Sequence, residues 1–154
     1  SAGTLPEAQA CAEVKMKINH SVSRFIQPIC TTINMNGCAA FTLTTSLFLM
    51  QNAGFHLSIG TMLVWVVIAV ISAIGNAGVP MGCYFLTLSL MSSIGAPLGL
   101  MGVILPIYTI IDMIETAENV WSDSAVCAMT NHDLKDVLEN DDRHVSGDAA
   151  SVNA

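Results

Sequence analysis

The chain has 154 residues, of which 53% are apolar and 11% charged, with a net charge of -7 and a mean hydropathy of +0.60. Soluble domains carry roughly 25% charged residues, so this composition argues against an ordinary soluble domain. The acidic excess lies mostly at the two ends, above all after Asp112, and no basic stripe interleaved with aromatics points to nucleic acid.

The chain opens Ser1-Ala2-Gly3-Thr4-Leu5-Pro6, with no basic n-region and no cleavage-site pattern. It reads like the middle of a protein, a C-terminal fragment whose earlier segments are expected upstream. Residues 7–24 are polar, with Glu7, Glu13, Lys15, Lys17 and Arg24, and predict a short helix and a loop on one membrane face. From Phe25 to Ile111 there is no Asp, Glu, Lys or Arg. Such a stretch belongs in lipid, where each unpaired backbone amide costs several kcal/mol.

That apolar run is broken twice, at 31–37 (Thr-Thr-Ile-Asn-Met-Asn-Gly) and at 74–82 (Ile-Gly-Asn-Ala-Gly-Val-Pro-Met-Gly). Helix-breaking text at membrane depth is tolerated where it lines a protein-enclosed cavity, and discontinuous segments point to the midplane site of a secondary transporter. Residues 21–50 are therefore expected to form one broken membrane helix, each half too short for a core of about 30 Å. Residues 57–95 are expected to form a re-entrant hairpin around the 74–82 tip, and 98–130 a last membrane helix, bent near Pro106. The basic residues Lys15, Lys17, Arg24, Lys135 and Arg143 then share one face, which places the C-terminus in the cytoplasm. The tail 131–154 is acidic, small and polar and is expected to be disordered.

Asp112, Glu115, Asn119 and Asp123 are spaced to lie close to one helical face, with Glu118 only loosely on that side. Ionisable groups in a membrane helix are costly and functional by default. Carboxylates beside the carbonyls of broken helices suit hard cations or an organic ammonium group, and Asn34 and Asn119 add amide groups for either a cation or a carboxylate. The set suggests a zwitterion binding together with small cations. Cys11, Cys30, Cys38, Cys83 and Cys127 show no C-x-x-C spacing and are odd in number, so reduced, packing cysteines are expected. The four histidines are scattered, and neither G-x-S-x-G nor HExxH occurs, so nothing supports an enzyme.

These residues match a known pattern. Asn34-Met35-Asn36-Gly37-Cys38 resembles the NMDGT motif, and Ala73-Ile74-Gly75-Asn76-Ala77-Gly78-Val79-Pro80 the SIGTAGVP tip, of the dicarboxylate/amino acid:cation symporters, the glutamate-transporter-like family. Ser1 to Pro6 resembles the end of that family's serine-rich first hairpin tip, and Asp112 to Asp123 its D-x-x-x-T-x-x-N-x-x-x-D helix. The resemblance runs from Ser1 to about Asn131, in order.

It implies an all-α polytopic membrane protein, here the transport-domain half of an elevator-type symporter in the plasma membrane (the inner membrane of a bacterium), trimeric through a scaffold outside this sequence. It implies symport of an amino acid or dicarboxylate coupled to sodium, or to protons. By resemblance Asp112 would hold the substrate ammonium, Asn119 and Ser1 its α-carboxylate, and Thr116 would line the pocket. The 75–82 tip, with Gly78, Val79 and Pro80, would close over the substrate. Asp123 with carbonyls of Cys30, Asn34 and Asn119 would form one sodium site, and carbonyls of Thr32, Ala73, Ile74 and Asn76 a second. Three residues depart from the pattern. Asn36 replaces an Asp that helps build a third sodium site, which leaves that ion and the stoichiometry open. Cys38 replaces a Thr that contacts acidic side chains. Glu115 stands where acidic-substrate members place an Arg, so either the substrate is a neutral or cationic amino acid, or Glu115 pairs with an Arg upstream of Ser1. A membrane-embedded cation-conducting or structural module without coupled transport is the competing reading.

Overall fold

The computed structural model of the chain describes residues 2–138, which contain helices and no strand. A 3-10 turn at Ala2–Thr4 leads into α1 (Leu5–Val14), followed by α2 (His20–Ile33), α3 (Asn36–Asn52), α4 (Ile59–Gly75), α5 (Gly82–Ser93) and α6 (Gly99–Asp133). Ser1 and residues 139–154, which hold most of the expected tail and Arg143, lie outside the described residues. The tail's described beginning is helical over 131–133 and again over 135–138, and Leu138 packs on the cluster of Ala12, Ile18, Val22 and Cys127.

Local chemistry sets the helix ends. Pro6 and Glu7 sit in the first turn of α1, where a missing N–H costs nothing and an anion meets the positive helix end. Asn19 caps α2, its Oδ1 accepting from Ser21 N at 2.8 Å, while its own N–H donates to Asn131 Oδ1 at 2.9 Å and ties the start of α2 to the end of α6. Asn34 and Met35 leave helical geometry, with ψ of 70° and 64°, so the helix is interrupted there and resumes as α3 at Asn36. Ser58 caps α4 by accepting from Thr61 N at 3.1 Å. The α4–α5 tip turns through Ala77, Gly78 and Met81, all with positive φ (50°, 71° and 57°). For Ala77 and Met81 that conformation costs about 1–2 kcal/mol each, so neighbouring contacts must hold the tip.

The main core gathers around α3, which packs on α4, α5 and α6, with Cys38, Phe41, Leu49, Tyr84, Met91, Met101 and Tyr108 buried. A second cluster joins α1, α2 and the end of α6. On α4 only Trp65, Ala69 and Ala73 are buried, one per turn, while Ile59, Leu63, Val67 and Ile71 face outward. A helix that is apolar on its outer face matches a lipid or protein-covered surface. At 17 residues α4 is about 25 Å long, short of a hydrocarbon core of about 30 Å. Among the described helices only α6, with 35 residues, is long and apolar enough to cross a membrane.

The buried residues of α6 are Met101, Tyr108, Glu115, Asn119, Asp123 and Cys127. Their spacings of seven and four trace one stripe along the helix. Its outward residues include Val103, Ile107, Ile110, Met113, Ile114 and Trp121. The helix therefore turns its polar groups inward and its apolar groups outward, the reverse of a surface helix on a soluble domain. Pro106 lies within it without ending it.

Candidate functional site

The interruption between α2 and α3 lies against this inward stripe. Asn34 Nδ2 donates to Asp123 Oδ1 and to Ser122 Oγ, both at 2.9 Å, and Asn36 Nδ2 donates to the same Ser122 Oγ at 2.7 Å. One turn earlier on α6, Asn119 Oδ1 accepts from Gly37 N at 2.9 Å, and Asn119 Nδ2 approaches Met35 Sδ at 3.9 Å. Three groups at the break, the side-chain amides of Asn34 and Asn36 and the backbone N–H of Gly37, are thus satisfied by α6, as a buried interruption requires. Gly37 is needed for this fit: a Cβ there would lie 2.8 Å from Glu115 Cα and 2.9 Å from Glu115 O. The first turn of α3 and the α6 backbone are in direct contact.

Glu115, Asn119 and Asp123 are 6%, 6% and 4% exposed. Asp112 is half-buried and Glu118 exposed, in keeping with its looser place on the face. Among the described residues neither carboxylate oxygen of Glu115 has a hydrogen-bond partner, and the Tyr108 hydroxyl two turns earlier is buried. The described basic residues belong elsewhere: Lys15 and Lys17 follow α1, Arg24 pairs with Glu13 at 3.5 Å, and Lys135 lies beyond α6.

The α4–α5 tip closes one side of this region. Ala2 N donates to Gly78 O at 3.3 Å, and a Cβ on Gly78 would come within 3.0 Å of Thr31 O, so the tip rests against both Ala2 and the end of α2. Asn76 is buried, and its Nδ2 approaches the sulfurs of Cys38 and Cys83 at 3.7 and 3.6 Å. Val79 and Pro80 are exposed at the outer edge of the tip. The carbonyls of Ala73, Ile74 and Asn76 each accept a bond from the turn, to Asn76 N, Ala77 N and Val79 N, and Cys30 O accepts from Asn34 N at 2.8 Å. A carbonyl has two lone pairs, so these oxygens keep capacity for a cation. Thr32 is exposed at the end of α2, with its hydroxyl donating to Ile29 O at 2.8 Å. Thr116 lies off this face, in a groove of ≈ 500 Å³ between α1 and α6 lined by Thr4, Glu7, Met113 and Trp121. Ser1 lies outside the described residues.

The cysteine expectation needs correction. Cys38, in the first turn of α3, and Cys83, in the first turn of α5, are joined in a disulfide with Cα atoms 5.5 Å apart. They are 45 residues apart in sequence, so no local spacing could reveal the pair; it follows from the packing of α5 on α3. Cys11, Cys30 and Cys127 are free. The pairing also means that Cys38 presents no thiol to a ligand.

Ser122, Tyr108 and Cys83 belong to this arrangement and were not singled out from the sequence. Ser122 could have been found as the residue beside Asp123 and three after Asn119, and Tyr108 as the residue seven before Glu115. Among the described residues no three His, Cys, Asp or Glu side chains converge as a metal group. The arrangement offers instead isolated carboxylates, amide groups and carbonyl oxygens from helix ends. That donor set suits a weakly held hard cation and a small zwitterion.

A sodium:dicarboxylate symporter family model matches residues 1–133. An excitatory amino acid transporter of Onchocerca volvulus is 31% identical over 143 residues, covering 93% of this chain and 29% of the relative. Excitatory amino acid transporter 3 of Mus musculus is 31% identical over 153 residues, covering 99% and 29%. Neutral amino acid transporter A of Homo sapiens is 33% identical over 132 residues, covering 86% and 25%. The chain thus spans less than a third of the length of these relatives.

Proposed function

The chain belongs to the sodium:dicarboxylate symporter family, and from that premise we propose that it forms the substrate-binding part of a membrane symporter that couples uptake of an amino acid to sodium. The observation that carries this reading is the inward polar stripe of α6 meeting the interruption between α2 and α3. Glu115, Asn119 and Asp123 are buried on a helix whose other side is apolar, and such groups in a membrane helix mark an ion or substrate path.

In this reading α2 and α3 are the halves of one broken membrane helix, α4 and α5 are a re-entrant hairpin, and α6 crosses fully, leaving the C-terminus in the cytoplasm. Asp112 holds the substrate ammonium, Asn119 and Ser1 its α-carboxylate, and Thr116 lines the pocket from the groove between α1 and α6. The 75–82 tip closes over the bound substrate and its ions. Sodium is carried at Asp123 with carbonyls of Cys30, Asn34 and Asn119, and at the carbonyls of Thr32, Ala73, Ile74 and Asn76. At Asn36 an amide whose nitrogen donates to Ser122 stands in place of a carboxylate, so a third sodium site there would lack that negative charge. The buried Glu115 disfavours an acidic substrate, because like charges repel, and supports a neutral or cationic amino acid. The whole protein is a plasma-membrane trimer assembled through its remaining segments.

Uptake into proteoliposomes containing the full-length protein tests the reading. An inward sodium gradient should drive amino acid accumulation, and dissipating the gradient should abolish it. Cation current without any coupled amino acid flux would instead favour a conducting module.

A further inference from the structure

The loop between α1 and α2 presents two lysines for which the proposed symport cycle has no use. Backbone bonds hold this loop in place: Met16 N donates to Cys11 O at 3.2 Å and Ile18 N to Ala12 O at 3.1 Å, which closes the end of α1. Lys17 takes a φ of 57°, a left-handed turn of the kind that ends helices. Ile18 is then buried among Ala12, Val22 and Cys127. The exposed Lys15 and Lys17 therefore stand just ahead of a fixed anchor. The nearby Arg24 and His20 pair with Glu13, at 3.5 and 3.0 Å. Among the described residues neither Lys15 nor Lys17 is in an ion pair.

The far end of the described chain arrives at the same place. Asn19 N donates to Asn131 Oδ1 at 2.9 Å, tying the end of α6 to the end of the loop. Leu138 packs on the Ile18 cluster, and with Val22, Phe25, Ile26 and Leu134 it lines a groove of ≈ 390 Å³ between α2 and the end of α6. The residues that follow are Glu139, Asn140, Asp141 and Asp142, three acids in four positions. Extended, they reach up to about 14 Å from Leu138, and Lys17 adjoins the Ile18 on which Leu138 rests. We propose that the α1–α2 loop is a docking surface for this chain's own acidic segment Glu139–Asp142, paired with Lys15 and Lys17 as a strap from the end of α6 to the end of α1. Exposed ion pairs are individually weak. Tethering at Leu138 offsets this, because a short link presents the acids at an effective concentration in the millimolar range. Anionic lipid headgroups are the weaker candidate, since they are recognised by clusters of about four to eight basic residues, and this loop offers two lysines beside three acids of its own chain.

The test uses the full-length protein in nanodiscs of phosphatidylcholine and holds whatever substrate the protein carries. A carbodiimide, which joins a carboxylate and an amine in contact as an amide, should link Lys15 or Lys17 to Glu139, Asp141 or Asp142 within one chain, as read by mass spectrometry of the band of single-chain mass. The link should be lost at about 1 M salt, where screening acts within about 3 Å. Acylation of Lys15 and Lys17 should run about threefold faster in the triple variant Glu139→Gln, Asp141→Asn, Asp142→Asn than in wild type, a change of the size expected for exposed ion pairs. These substitutions are conservative and lie beyond the packed helices, so the fold is kept. Absence of the link, a link only between two chains at doubled mass, or equal acylation rates in the two proteins overturns the proposal. Lysines protected only in phosphatidylserine nanodiscs, and equally in the triple variant, would overturn it in favour of a lipid surface.

Discussion

Replacing Gly37 by alanine places a methyl group where two helix backbones already touch. The added Cβ would lie 2.8 Å from Glu115 Cα, 2.9 Å from its carbonyl oxygen and 3.1 Å from its Cβ, whereas carbon atoms rest at about 3.5–4.0 Å. The first turn of α3 must then withdraw from α6 by about 1 Å. Forced overpacking of this kind costs about 1–3 kcal/mol. The same withdrawal stretches the bond from Gly37 N to Asn119 Oδ1, now 2.9 Å, and a buried donor left unsatisfied costs about 1–3 kcal/mol more. The better helix propensity of alanine returns about 0.5–1 kcal/mol, so the expected net loss is about 3 kcal/mol. Denaturant titration of the full-length protein in mixed micelles measures it, with Gly102→Ala as control. Gly102 is also helical, and a Cβ there meets nothing within 4 Å, so the control should be neutral or slightly more stable. Equal stability of the two variants would refute the close approach of α3 to α6.

Three further outcomes are expected. Asn34→Ala removes the amide that bonds both Ser122 and Asp123 and should cost about 2–3 kcal/mol in the same titration, since bonds to charged groups are the stronger ones; an unchanged midpoint would contradict the network. Partial burial raises the Glu13 carboxyl, but the His20 hydrogen bond at 3.0 Å and the charges of His20 and Arg24 outweigh it and hold the group below its ordinary value. A lowered folded pKa gives stability that is present above the unfolded value of about 4.3 and is lost as pH falls through the folded one, so the gap between wild type and Glu13→Gln should be present at pH 7 and closed at about pH 3, and a gap independent of pH would refute the pairing. In the folded protein a thiol-alkylating reagent should label the exposed Cys11 without reductant, while Cys38 and Cys83 should take label only after reduction and unfolding; mass spectrometry that finds Cys38 labelled in the unreduced protein would contradict their pairing.

The helix interruption was legible in the sequence because Asn34, Asn36 and Gly37 are poor helix formers set in an apolar run, and it appears within a residue or two of that text. The face of α6 was legible for a similar reason, since spacings of four place Glu115, Asn119 and Asp123 together whatever they pack against. What the spacing could not show is which groups find partners. Asp123 meets Asn34 across 89 residues of chain, Cys38 meets Cys83 across 45, and Ser122 gains its role only because two amides from the break converge on it. Tyr108 reads locally as one more aromatic in an apolar helix. Only the packing of Phe41 and Tyr84 on its ring shows that its hydroxyl is enclosed on the same stripe as Glu115. The tip between α4 and α5 announced its unusual backbone through Gly75, Gly78 and Gly82, yet two of its positive φ angles fall on Ala77 and Met81, where contacts with neighbouring segments rather than residue type decide the conformation.

The central claim is that the α6 stripe binds an amino acid and sodium as one coupled site, and coupled binding is reciprocal. The most direct measurement is the amino acid affinity of the purified full-length protein across a sodium titration, in wild type and Asp123→Asn. The account predicts that affinity rises steeply with sodium in the wild type and that the dependence is strongly flattened in Asp123→Asn. An affinity independent of sodium, or a dependence that Asp123→Asn leaves unchanged, would contradict it.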